Sequence, residues 1–120
     1  MLLLPGWQNS GEGHWQTLWE SYYGDQRVLQ HDWMTPRRGD WMAQLDVAVA
    51  EHPAPKLLLA AHSLGCHLVA AWAQHSRHTG KIVGALLVAP PDTAHVAELL
   101  AAPYPKRTPE TRIELVPSIL

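Results

Sequence analysis

Ser63 is the residue of this chain best placed for covalent chemistry. It stands in Ala61-His62-Ser63-Leu64-Gly65-Cys66, directly after the apolar run Leu57 to Ala61 and directly before a stretch of helical periodicity, Leu64 to His78. A strand that ends in small-x-Ser-x-Gly and turns at once into a helix leaves the serine on a strained bend, with its hydroxyl raised above the sheet. The small residues Ala61 and Gly65 allow that reversal within about two residues, where larger side chains would collide with neighbouring backbone. The same turn aims the Leu64 amide and the positive end of the helix at the space over the hydroxyl, a setting suited to a developing oxyanion. The chemistry implied is nucleophilic attack on an acyl carbon. The plainer alternative is that Ser63 merely caps the helix that follows.

A second segment points to the same place. Pro5-Gly6-Trp7 follows the short apolar run Leu2 to Leu4. In a flavodoxin-like strand order, 2-1-3-4-5, the first and third strands meet at the topological switch point. The Pro-Gly-Trp loop and the Ser63 bend then share one crevice, and the Trp7 amide becomes a second oxyanion donor beside that of Leu64. Asp92 and His95 follow Ser63 in the order Ser, Asp, His and are candidate substitutes for a triad acid and base. The simpler reading makes Asp92 a helix cap and places His95 in the first helical turn. His14 and Trp33 are candidate pocket residues at the mouth of the crevice, with Trp7 a third candidate for an apolar lining. His62 is expected to pack, hydrogen-bonded, pointing away from Ser63. Cys66 reads as a buried small residue rather than a rival nucleophile. His75 and His78 have no third ligand at metal spacing, so no metal is expected. No cofactor is expected either.

The elements that must position these groups alternate along the chain. Leu2 to Leu4, Arg27 to His31, Leu57 to Ala61 and Ile82 to Ala89 read as strands. His14 to Tyr23 reads as a helix with Trp15, Leu18, Trp19 and Tyr22 on one face, stopped by Gly24. Arg37 to Glu51 reads as a second helix with Trp41, Leu45, Ala48 and Val49 on one face, ended by Pro53 and Pro55. Leu64 to His78 reads as a third, with Leu64, Leu68, Ala71, Trp72 and His75 inward. Thr93 to Ala101 reads as a short helix, and Glu114 to Leu120 as the start of a strand. The continuous apolar runs at 57–61 and 82–89 predict burial on both sheet faces. Such alternation means one α/β domain over residues 1–120: a doubly wound, mostly parallel sheet in a three-layer sandwich.

Composition bounds the rest. The chain has 120 residues, 47% hydrophobic and 17% charged, with net charge −2, which excludes an intrinsically disordered chain. Nine Lys and Arg against eleven Asp and Glu argue against a nucleic-acid partner. One cysteine excludes an internal disulfide. The longest apolar stretch, Ile82 to Pro91, is about half of a bilayer span of roughly 20 residues, and Met1-Leu2-Leu3-Leu4-Pro5-Gly6 lacks the basic start of a signal peptide. A cytoplasmic domain acting on a small ester or acyl substrate, without a membrane partner, is the expectation.

Several of these segments together resemble a known family. Pro5-Gly6-Trp7-Gln8-Asn9-Ser10-Gly11, His14-Trp15-Gln16, Asp32-Trp33 with Pro36, Ala61-His62-Ser63-Leu64-Gly65-Cys66 and Leu87-Val88-Ala89-Pro90-Pro91-Asp92 are similar to the small α/β-hydrolase-fold serine hydrolases related to retinoblastoma-binding protein 9. The resemblance implies that Ser63 is the nucleophile of a carboxylesterase-like hydrolase. In that family the triad acid follows a later strand, and the histidine lies near the end of a longer chain. This sequence ends at Pro117-Ser118-Ile119-Leu120, which resembles the strand just before the acid, so neither residue is carried over. The resemblance therefore implies a fold incomplete at its C-terminus, with most turnover lost. An oxyanion hole alone leaves a residual effect of order 10³-fold over water. The alternatives are an impaired remnant that binds a ligand or partner, or a fragment of a longer enzyme. Either leaves an exposed sheet edge, which favours self-association.

Overall fold

A computed structural model describes residues 1–91. The elements run β1 (Leu2–Leu4), α1 (Trp15–Tyr23), β2 (Gln26–Arg27), α2 (Arg38–Glu51), β3 (Leu57–His62), α3 (Leu64–His75), a single 3₁₀ turn (Thr79–Lys81) and β4 (Ile82–Val88). The expected helix Thr93 to Ala101, the expected strand from Glu114, and Asp92 and His95 lie outside the described residues. All described strands pair in parallel, in the order β2-β1-β3-β4. This is the switch-point order, so the carboxyl ends of β1 and β3 are adjacent.

Strand alternation divides the side chains between two faces. On one face Leu2, Leu4, Leu59 and Ala61 join Trp41, Leu45 and Val49 of α2 and Leu64, Leu68 and Trp72 of α3 in a single buried core. Trp72 is 1% exposed, and its indole N–H donates to Asp46 on α2 at 2.9 Å. The same carboxylate accepts from the Ser76 hydroxyl and from His78 Nδ1. These bonds, the Ser76 hydroxyl first among them, hold the Asp46 carboxyl below its usual pKa. They bind the end of α3 to the middle of α2. The opposite face carries Leu3, Ala60 and His62, and α1 lies over it.

Three features differ from the expectations or go beyond them. First, the apolar face of α1 is not its buried side. Leu18 is 41% and Tyr22 77% exposed, and the buried residue of the helix is Gln16. Trp15 and Trp19 instead pack edge to face on each other, 4.8 Å between ring centres. Second, β3 and β4 are not covered on both faces among the described residues. Leu58, Val83 and Leu86 are exposed. Third, α3 stops at His75, which is exposed and accepts from Arg38 Nη2 at 2.9 Å. The second strand is also shorter than expected, although the Val28 amide still donates to Leu3 O at 2.9 Å. No helix among the described residues is long and apolar enough to cross a membrane.

Candidate active site

Ser63 is the hinge between β3 and α3. Its backbone sits at φ 54°, ψ −120°, a region that L residues rarely occupy. It precedes the first helical residue, yet its side chain makes no capping hydrogen bond. The simple helix cap is thereby excluded. The bend is held from below by the Ser63 amide, which donates to Val88 O at the end of β4 at 2.9 Å. Cys66 Sγ donates to the same carbonyl at 3.4 Å. Burial pushes the Cys66 thiol up to about 11, so it stays protonated and inert near neutrality, as expected of a packed cysteine.

The turn after β1 meets this bend directly. A methyl placed on Gly6 would lie 3.0 Å from Leu64 N, 3.1 Å from His62 O and 3.2 Å from Ser63 Cβ. Any larger residue would press these atoms apart by a few tenths of an ångström, so glycine suits the close approach of the loop. Gly65 makes the matching approach from α3: a methyl there would overlap Leu4 O and come within 3.0 Å of Leu4 C. The Leu64 amide is the first of α3 and has no intrahelical acceptor. Gly6 to Asn9 forms a tight turn, with Asn9 N–H donating to Gly6 O at 3.1 Å and Gln8 at φ 67°. This is a type II geometry with Trp7 at its second position. The Trp7 amide donates to no acceptor among the described residues, whereas its indole N–H donates to Met34 O at 2.9 Å. The Ser63 bend, the first amide of α3 and the turn that carries Trp7 thus stand side by side. Such a set can attack a carbonyl carbon and receive negative charge on its oxygen.

The other candidates fall on both sides of this bend. His14 caps α1, its Nδ1 accepting from the Gln16 amide at 3.1 Å, and its ring stands edge-on to His62 at 4.5 Å. The His62 side chain packs against His14 and Trp15 but makes no hydrogen bond among the described residues, contrary to expectation. Trp33 lies edge-on to Trp41 at 5.7 Å, and Gln8 N–H donates to its carbonyl, so its loop touches the Gly6–Asn9 turn. The Asp46–His78 pair sits beyond the opposite end of α3 from this bend. No group of three or more His, Cys, Asp or Glu among the described residues could hold a metal ion. Sequence reasoning passed over His67, whose Nε2–H donates to Pro91 O at 2.7 Å and fixes the exit from β4. It also passed over Gln16 and Arg27. The signal was polarity at buried or half-buried helical and strand positions, which cannot be recognised before burial is known.

The two imidazoles beside the bend predict a pH response. Burial, then the neighbouring His62 and Arg27 charges, lower the His14 pKa from its ordinary 6.5; burial lowers that of His62. The unfolded chain therefore binds protons more readily than the folded one in the window just below 6.5, and stability rises with pH across it. The melting temperature should fall as pH drops from 7.5 to 5.5. A His14→Asn/His62→Gln variant should show a flatter fall, and an unchanged slope would clear both residues.

Comparisons with known proteins bear on the family and the fold. The family model described as serine hydrolase matches residues 1–119. Among solved structures, the chain is similar to a YdeN-like hydrolase from Pectobacterium atrosepticum, with 26% sequence identity and a TM-score of 0.68. The likeness covers 79% of this chain and 51% of that one, so this chain spans about half the length of its solved relative. None of the curated proteins matches it.

Proposed function

The chain belongs to the serine hydrolase family, and from that premise we propose that it cleaves carboxylic esters or related acyl bonds through Ser63. The observation that carries the reading is the uncapped, left-handed Ser63 at the β3–α3 hinge, with Gly6 packed against it. In this reading Ser63 Oγ attacks the acyl carbon while the carbonyl π electrons move to oxygen. The Trp7 and Leu64 amides donate to that oxyanion. Collapse of the tetrahedral adduct restores the carbonyl, breaks the bond to the leaving oxygen and leaves an acyl-serine, which water then hydrolyses. A base must take the hydroxyl proton. Asp92 and His95 remain the sequence candidates for acid and base. His14 and Trp33 are assigned to the substrate side of the crevice, on the strength of the ring contact with His62 and the loop contact at Gln8.

A fluorophosphonate probe tests the nucleophile, since peptide mapping of the adduct must find it on Ser63 and nowhere else. The oxyanion assignment has its own test. Trp7 occupies the turn position that proline favours, so Trp7→Pro fits the backbone while deleting the amide hydrogen. Trp7→Ala keeps that hydrogen and loses the indole. Labelling of Trp7→Pro should be about 10²- to 10³-fold slower than that of Trp7→Ala, the usual cost of one oxyanion donor. Equal rates would remove the Trp7 amide from the mechanism.

A further inference from the structure

Gln16 is buried on a helix whose apolar residues are largely exposed, and its carboxamide is fully engaged. Nε2 donates to Leu4 O at 3.1 Å and to Ala60 O at 3.0 Å, bridging the adjacent strands β1 and β3. Oε1 accepts from Ser10 Oγ at 2.7 Å. Ser10 belongs to the loop that begins at Gly6. From the other side Arg27 of β2 donates to Asn9 Oδ1 at 2.8 Å, to Ser10 O at 2.9 Å and to Thr17 Oγ1 at 2.9 Å, with Glu20 as its counter-charge at 3.1 Å. The clamped segment includes Gln8 and Asn9, both left-handed at φ 67° and 66°. A chain does not hold two successive non-glycine residues there unaided. Trp7 immediately precedes them.

We propose that Gln16 is a positioning residue: through Ser10 it holds the Gly6–Gly13 loop against the ends of β1 and β3, so that the Trp7 amide faces the oxygen that Ser63 will charge. This rests on the oxyanion reading above. An apolar side chain would fill the same space, but it would anchor neither strand carbonyls nor loop. A glutamate would accept from Ser10 yet could not donate to both carbonyls. The bonding pattern therefore calls for an amide.

The experiment uses the full chain and two variants. Gln16→Met removes all three bonds at similar bulk, and Ser10→Ala removes only the bond to the loop. Fluorophosphonate inactivation is followed over probe concentration, so that the maximal rate constant, the apparent affinity and the labelled fraction are read separately. Hydrogen exchange is read at the amides of residues 7–13. A displacement of about 1 Å costs up to about 100-fold. Gln16→Met should lose about 10- to 100-fold in maximal rate and Ser10→Ala a smaller multiple, with affinity kept and loop exchange accelerated in both. A smaller labelled fraction at an unchanged rate constant would make Gln16 merely structural and overturn the proposal. If Gln16→Met does not fold, Ser10→Ala decides, and native rate with native exchange overturns it. Ser63-dependent labelling at parent rate in both variants sinks this proposal alone. No Ser63-dependent labelling in the parent chain sinks the oxyanion reading and this proposal with it.

Discussion

Ser63→Ala should abolish fluorophosphonate labelling while leaving the circular dichroism spectrum unchanged. Removing the nucleophile of a complete serine triad costs about 10⁶ in kcat. Even where assistance by a base is partial, no other hydroxyl of the described residues has a bend, a helix N-terminus and a glycine turn around it. Alanine keeps the Cβ and hence the strain at φ 54°, so stability should change little. Ser63→Gly separates strain from chemistry. An unfavourable backbone conformation of this kind costs about 1–3 kcal/mol. Glycine relieves it and gives back about 0.5–1 kcal/mol in chain entropy. Ser63→Gly should therefore melt about 4 °C above Ser63→Ala, from a net gain of about 1 kcal/mol, and should label no better. Labelling of Ser63→Ala at the parent rate would refute the nucleophile assignment, and a Ser63→Gly variant less stable than Ser63→Ala would refute the strain.

The second large effect is expected at Gly65. Gly65→Ala drives a methyl into Leu4 O, with Leu4 C at 3.0 Å and Pro5 O at 3.1 Å. These are backbone atoms of a fully buried strand and the turn after it, and neither can swing aside as a side chain would. Overpacking costs about 1–3 kcal/mol where neighbours can shift, and the expected loss lies at or above the top of that range. Relief requires α3 to move off β1, which carries the Leu64 amide away from Gly6, so labelling should fall together with stability. Gly39→Ala is the control. Gly39 is an exposed helical residue with nothing within 4 Å of an added methyl, and alanine there should stabilise by about 0.5–1 kcal/mol. Urea unfolding of both variants gives the comparison, and equal midpoints would mean that α3 does not depend on its close approach to β1.

Much of the site was legible before any coordinates. Ala61-His62-Ser63-Leu64-Gly65 between an apolar run and a helical pattern specified a bend, since only small residues flank such a reversal. Pro5-Gly6-Trp7 specified a turn, and the strand–helix alternation specified the neighbourhood of the first and third strands. The shared apolar face of α1 did not reveal which side of that helix is buried, for a definite reason. Periodicity finds the apolar side of a helix and assumes that an apolar surface awaits it. Here α1 meets two strand carbonyls and a loop hydroxyl, and the hydrogen bonds of Gln16 outweigh the burial of Leu18 and Tyr22.

The sequence by itself determined the order of elements, the parallel sheet and the reversal at Ser63, because these follow from local preferences of small, apolar and turn-forming residues. Tertiary structure alone decided that Gly6 touches Leu64, that Gly65 lies on Leu4, and that Gln16, Ser10 and Arg27 clamp the loop between them. Those contacts join residues far apart in the chain, and their energies depend on burial and on partners that exist only once the strands have paired.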